Sequence, residues 1–317
     1  MALDPTIRKL LDMAAASGRP AINSLPPPET RQMMRDTRAP VQGAFLDSVA
    51  ADDRRIPGPA GEIPVRIYRP KSAPASAKLP LLVYFHGGGW VIGDIETHHT
   101  MCQRLSEAGN LAVVSVDYRL APEHRFPASV DDCWAATVWA SANAASIGAE
   151  GSRIAVGGDS AGGTLAAVVA LMARDRGGVQ IGFQLLLYPA VDALANTGSL
   201  AKNADGYLLT REAMVWFYDH YIPDAADRSD WRASPLRART FAGLPPAMIV
   251  TAGFDPLLDE ARVYADRLAH DGVTVEYVEH GSMIHGFLGM PGVLPQARRG
   301  LAMAGQAVRE ALVDGAA

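Results

Sequence analysis

Apolar and polar positions divide the chain into a short helical lead and a long alternating body. Asp4 suits an N-cap and Pro5 a first helical position, and Leu3, Ile7, Leu10, Leu11 and Ala14 fall on one face, which predicts an amphipathic helix to about Ala16. Pro26-Pro27-Pro28 breaks the chain, and a second helix is predicted over 29–38. Strand signals begin near Ala44 and recur at 63–69, with Pro57-Gly58-Pro59-Ala60-Gly61 as the turn, so these two runs predict an antiparallel hairpin at a sheet edge. Largely apolar strand runs at 81–85, 111–116, 154–157, 183–188, 247–251 and 273–278 then alternate with predicted helices at 97–108, 129–145, 161–174, 257–270 and 296–312. Such runs imply a mainly parallel sheet covered by helices on both faces, an α/β fold.

One interval breaks that rhythm. Between Tyr188 and Ala247 no strand is predicted. Thr210-Arg211-Glu212 opens a helix there, whose Met214, Phe217, Tyr218 and Tyr221 share a face. A long insertion in a regular sheet is often a lid over a site. The pattern divides the chain into a helical cap part at 1–42, a core at 43–190, a cap insertion at 191–232 and the rest of the core at 233–317.

Composition narrows the class without changing this picture. The 317 residues are 49% hydrophobic and 20% charged, as in a soluble globular protein, and can bury a large core. A net charge of −5 without a basic block speaks against nucleic acid or an anionic membrane surface as partner. No apolar run approaches the roughly 18 residues of a spanning helix, which excludes stable membrane insertion. The first residues carry an early acid and lack a signal-peptide core, so a cytoplasmic location is expected. Cys102 and Cys133 have no metal-ligand spacing and read as small buried thiols.

In an open parallel sheet, sites form beyond the carboxyl ends of the strands. The run 154–157 leads into Gly158-Asp159-Ser160-Ala161-Gly162, a G-x-S-x-G pattern that lifts a serine on a strained strand-to-helix turn. Alone, these five residues also fit an ordinary strand–loop–helix junction. His86-Gly87-Gly88-Gly89-Trp90 follows 81–85, and its three glycines let backbone N–H groups approach a substrate oxygen. Asp255-Pro256 follows 247–251, where a carboxylate can orient a histidine or simply cap a helix. Two histidines, His280 and His285, follow the last strand. His285 is preferred because it has more loop in which to reach Ser160, whereas His270 ends a helix and reads as a surface residue. Asp159 is left without a role. The chain order Ser…Asp…His, with spacings of about 95 and 30 residues and a glycine loop upstream, is that of α/β-hydrolases.

These motifs, with Tyr118-Arg119-Leu120-Ala121-Pro122-Glu123-His124-Arg125-Phe126-Pro127-Ala128 and Asp255-Pro256-Leu257-Leu258-Asp259-Glu260, resemble the hormone-sensitive-lipase family of bacterial carboxylesterases over about 79–287. The resemblance implies Ser160, Asp255 and His285 as a catalytic triad and Gly87, Gly88 and Ala161 as backbone donors of an oxyanion hole. It implies a cap built from the N-terminus and the 190–232 insertion, and it favours short to medium acyl esters, small molecules handled with neither metal nor cofactor. Glu123 and His124 are expected to brace the loop after Val116. Trp90, Tyr188, Trp216, Phe217, Phe254 and Phe287 are candidates to line the substrate pocket, with core packing the other use for each. An amidase or peptidase would share the triad, and a non-catalytic receptor of the same fold would lack the histidine that His285 supplies. The edge strand 273–278 and the last helix offer a surface through which a homodimer would form.

Overall fold

The computed structural model describes residues 2–313. Helix α1 (Pro5–Ala16) begins as its cap dictates: Asp4 Oδ1 accepts the N–H groups of Thr6 at 2.8 Å and Ile7 at 3.4 Å. Helix α2 (Pro27–Gln42) starts earlier than predicted. Pro27 and Pro28 occupy the first turn, where a helix needs no N–H donors, so the proline run opens the helix rather than only breaking the chain. The first strand, β1 (Val49–Gly58), begins five residues later than its sequence signal. The stretch before it is held as a loop, Leu46 exchanging two hydrogen bonds with the Gln103 side chain at 2.8 and 3.1 Å.

Strand β2 (Gly61–Pro70) pairs antiparallel with β1, Ile56 opposite Ile63, and closes the expected hairpin. Then follow β3 (Leu79–Phe85), α3 (His99–Gly109), β4 (Ala112–Val116), α4 (Ala128–Ala142), β5 (Ala149–Asp159), α5 (Ala161–Arg176) and β6 (Ile181–Leu187). The insertion carries α6 (Gly198–Lys202) and α7 (Arg211–Tyr221), and β7 (Ala247–Phe254), α8 (Leu258–His270), β8 (Val275–Ile284) and α9 (Pro295–Val313) complete the chain. One eight-stranded sheet has the order β1-β2-β4-β3-β5-β6-β7-β8, parallel from β4 onward.

Side-chain alternation splits the core between the two faces of this sheet. From β3, Leu81, Val83 and Phe85 join the cluster under α4, α5, α7 and α8, while Leu82 and Tyr84 join the cluster under α3 and α9. Helix α5 is buried from Ala161 through Ala173, and its small residues let it lie close to β3 and β5. Both cysteines are buried and free. Among the described residues no helix is long and apolar enough to cross a membrane.

Candidate active site

The carboxyl ends of β3, β5, β7 and β8 bring the candidate residues together. Ser160 joins β5 to α5 at φ 54°, ψ −121°, a left-handed conformation that typically costs a non-glycine residue about 1–3 kcal/mol. The turn is held from both sides: the Ser160 N–H donates to Leu187 O at 2.8 Å, and its carbonyl accepts the Thr164 N–H at 3.1 Å. Two glycines make room for it. A Cβ on Gly162 would strike the Phe85 carbonyl, and one on Gly158 would strike the backbone of Gly162.

His285 follows β8 directly. Its Nε2 lies 2.9 Å from Ser160 Oγ and its Nδ1 lies 2.7 Å from Asp255 Oδ2. Asp255 is 1% exposed, whereas Ser160 remains partly open to solvent. Asp255 Oδ1 accepts the Leu257 N–H at 2.8 Å, leaving Oδ2 for the imidazole, while α8 has Leu257 itself at its N-cap and no side-chain cap. Asn203, from the insertion, donates to the Asp255 carbonyl at 3.0 Å. Tyr188 sets its ring edge-on to His285, centroids 4.9 Å apart. The other two histidines lie elsewhere. His280 packs on Phe287 at 4.9 Å, and His270 is exposed beside Asp271.

The glycine loop is fixed peptide by peptide. The Gly87 N–H donates to Asp159 Oδ1 at 2.9 Å, and the His86 carbonyl on the other side of that peptide accepts the Tyr118 hydroxyl at 2.7 Å. The Gly87 carbonyl lies 2.9 Å from His86 Nδ1. Burial pushes the His86 pKa down to about 4, so the ring is neutral near pH 7, and a carbonyl partner requires its proton to sit on Nδ1. The Gly88 carbonyl accepts the N–H groups of Val91 at 3.1 Å and Ile92 at 2.9 Å. C=O and N–H point opposite ways across a trans peptide, so these bonds fix the directions of the Gly88 and Gly89 N–H groups. Gly88 and Gly89 have φ of 125° and 58°. A Cβ at Gly88 would meet the Ile92 carbonyl, and one at Gly89 the Phe217 ring.

This geometry corrects one sequence expectation. The N–H of Gly87 is already bound to a buried carboxylate and is not available to a substrate oxygen. Among the described residues, no acceptor is found for the N–H groups of Gly88 and Gly89, and Ala161, as the first residue of α5, has no intrahelical acceptor.

Beside Ser160 lies a small apolar cavity lined by Gly89, Trp90, Ala161, Ala190, Leu209, Met214, Phe217, Tyr218 and Leu257. Of the six aromatic side chains expected there, Trp90 and Phe217 line it and four do not. Tyr188 and Phe287 are buried behind His285, Phe254 packs on Tyr207 at 5.0 Å, and Trp216 turns to His220 at 4.3 Å. A larger cleft, at Arg153, Gln180, Gly182 and Pro245, lies at the opposite ends of the strands from Ser160.

Helix α2 ties these loops from outside through three arginines. Arg31 donates to the carbonyls of Val91 and Ala121, both at 2.8 Å, and grips Glu123 at 2.9 and 2.6 Å. Arg35 meets Asp94 at 2.5 Å, and Arg38 reaches the Gly286 carbonyl at 3.5 Å. Glu123 thus braces its loop against the N-terminal helix, while His124 stays exposed.

Comparison with known proteins now decides the family. The sequence pattern of the alpha/beta hydrolase fold matches residues 82–289. The carboxylic ester hydrolase LipN of Mycobacterium tuberculosis is 44% identical over 91% of this chain and 77% of its own. An ethyl acetate hydrolase of Pseudomonas putida is 33% identical over 98% of this chain and 100% of its own. A serine-to-alanine mutant of LAE6, an alpha/beta hydrolase enzyme from the metagenome of Lake Arreo, Spain, superposes with a TM-score of 0.93 at 43% identity, covering 97% of this chain and 98% of that one. This chain belongs to the hormone-sensitive-lipase family of carboxylesterases. For this α/β-hydrolase, sequence reasoning missed Leu209 and Leu257 at the cavity and did not assign Met214 and Tyr218 to it. The signal for the latter pair was present in the shared face of α7.

Proposed function

We propose that this carboxylesterase hydrolyses short to medium acyl esters through an acyl-enzyme, with Ser160 as nucleophile, His285 as general base and acid, and Asp255 holding the imidazole. The observation that carries the reading is the unbroken series Ser160 Oγ–His285 Nε2 and His285 Nδ1–Asp255 Oδ2, at 2.9 and 2.7 Å, on three separate strand ends. Ser160 Oγ attacks the ester carbonyl carbon as His285 Nε2 takes its proton, and Asp255 stabilises the imidazolium that results. Negative charge on the carbonyl oxygen is met by the N–H groups of Gly88, Gly89 and Ala161, each such donor being worth about 2.7–4 kcal/mol in the transition state. His285 then protonates the departing alcohol. Water repeats the cycle on the acyl-serine, releasing the acid and restoring Ser160.

The N-terminal helices and the insertion around α7 form the cap in this reading. Phe217 and Tyr218 of α7, with Trp90 beneath them, line a small apolar cavity beside Ser160, which favours a short acyl group. The P. putida relative named an ethyl acetate hydrolase supports a short acyl group. Rates on p-nitrophenyl esters from acetate to palmitate test this: the optimum is expected at or below about eight carbons, and an optimum at palmitate overturns it. A matched ester and anilide distinguish esterase from amidase, with the ester expected to be far faster.

A further inference from the structure

The serine elbow holds one buried charge that the mechanism above leaves unused. Asp159, the last residue of β5 and the neighbour of the nucleophile, is 3% exposed. A carboxylate at that depth needs partners, and it has three. Oδ1 accepts the Gly87 N–H at 2.9 Å and the Tyr84 hydroxyl at 2.8 Å, and Oδ2 faces His98 Nε2 at 3.3 Å. Burial opposes its ionisation, but the adjacent His98 and the hydrogen bonds from His98 and Tyr84 outweigh that and hold the carboxyl below the usual range.

All three partners belong to one stretch of chain. Tyr84 lies on β3 just before the glycine loop, Gly87 is the first residue of its glycine run, and His98 stands where the chain returns to enter α3. His98 is itself held, its Nδ1 lying 3.0 Å from Thr97 Oγ1 and 3.3 Å from the Asp94 carbonyl. One carboxylate therefore grips both ends of the loop whose middle presents Gly88 and Gly89. The same residue is bonded covalently to Ser160. Any shift of loop against nucleophile must stretch these contacts. The side chain also fills the space that a Cβ on Gly87 would need, so loop and carboxylate fit each other closely.

We propose that Asp159 is a positioning residue that sets the oxyanion loop against the nucleophile: through the Gly87 peptide it orients the N–H groups that follow, without touching substrate. This rests on the serine-esterase reading above. The test uses the full-length Asp159→Ala and Asp159→Asn enzymes with p-nitrophenyl butyrate and a trifluoromethyl ketone that forms a tetrahedral adduct. In Asp159→Ala, kcat is expected to fall about 100-fold, the loss typical of one oxyanion donor, with KM within about threefold of wild type. Affinity for the ketone should weaken by the same factor as kcat/KM. Acylation and deacylation should slow alike, since both pass through an oxyanion. Asp159→Asn keeps an oxygen for the Gly87 N–H and should recover most of the rate. If the alanine enzyme does not fold, Tyr84→Phe removes one of the same hydrogen bonds and should lower kcat at least about threefold at unchanged KM. A folded Asp159→Ala enzyme with kcat within twofold of wild type overturns the proposal, as does a loss confined to KM or unchanged ketone affinity. Failure of the underlying reading looks different: the wild-type enzyme would then neither turn over the ester nor bind the ketone.

Discussion

The serine elbow and the insertion that carries α7 both line one cavity but are held by different means. Around Ser160 the constraints are main-chain ones. Gly158 and Gly162 lie against backbone atoms, and the serine's own N–H and carbonyl are both bound. The insertion has main-chain bonds to the core at Tyr221 and Val191, but most of its anchors are side chains: Trp90 stacks under Tyr221 at 4.5 Å, Arg237 meets Asp192 at 2.8 Å, and Asp259 accepts the Ser199 N–H at 2.7 Å. Backbone constraints admit few residue types and leave a motif. Side-chain packing admits many, and leaves only a pattern of apolar positions. The elbow is therefore rigidly specified, and the insertion is free to vary.

This contrast predicts a graded set of responses. The largest loss should come from adding one carbon at the elbow. In Gly162→Ala the new methyl meets the Phe85 carbonyl, and the enzyme should lose about 3 kcal/mol of stability and at least about 100-fold in kcat, read by melting and ester turnover. A variant within twofold and about 1 kcal/mol would break the main-chain half of the comparison.

A middle effect belongs to Glu260, which anchors the root of the insertion by accepting the N–H groups of Val191 at 2.7 Å and Asp192 at 3.3 Å. Burial pushes its pKa up from the ordinary 4.5 to about 8. As pH rises through that window the unfolded chain gives up this proton while the folded protein keeps it. Its contribution is thus fully present below the lower value, declines across the window and is gone above about 8. Glu260→Gln keeps an acceptor oxygen and removes the titration. The melting temperature of this variant relative to wild type should climb from pH 5 to pH 9; a constant difference would contradict the assignment.

The smallest effect is expected at Arg35, half-exposed on α2 beside Asp94. Arg35→Ala should cost at most about 1 kcal/mol, a shift of no more than about 2–4 °C in melting temperature. A larger loss would mean that α2 is fastened as firmly as the elbow.

The sequence carried the fold well where burial was continuous. Most strands of the parallel sheet were legible because their apolar runs are short and nearly continuous; β8, which mixes polar and apolar residues, runs on to Ile284, past the expected end at Val278 and through His280. Boundaries failed where chemistry was local. The prolines that open α2 read as a break, and α6 is too short for a helical period to show. Ser160, Asp255 and His285 could be picked out because each follows its own strand, in an order few arrangements share. Gly87 was misread for a physical reason: whether a backbone N–H is free depends on the rotamer of Asp159, 72 residues away. The pocket aromatics were only partly legible, since an aromatic side chain at a strand end serves equally to line a cavity or, like Phe287, to fill the space behind it.

The central claim is that Ser160 is the nucleophile. It is tested most directly by comparing turnover of p-nitrophenyl butyrate by wild type and Ser160→Ala at equal concentration, with folding checked by circular dichroism. The alanine enzyme should be at least about four orders of magnitude slower. A well-folded variant that keeps a tenth of the activity would contradict the account.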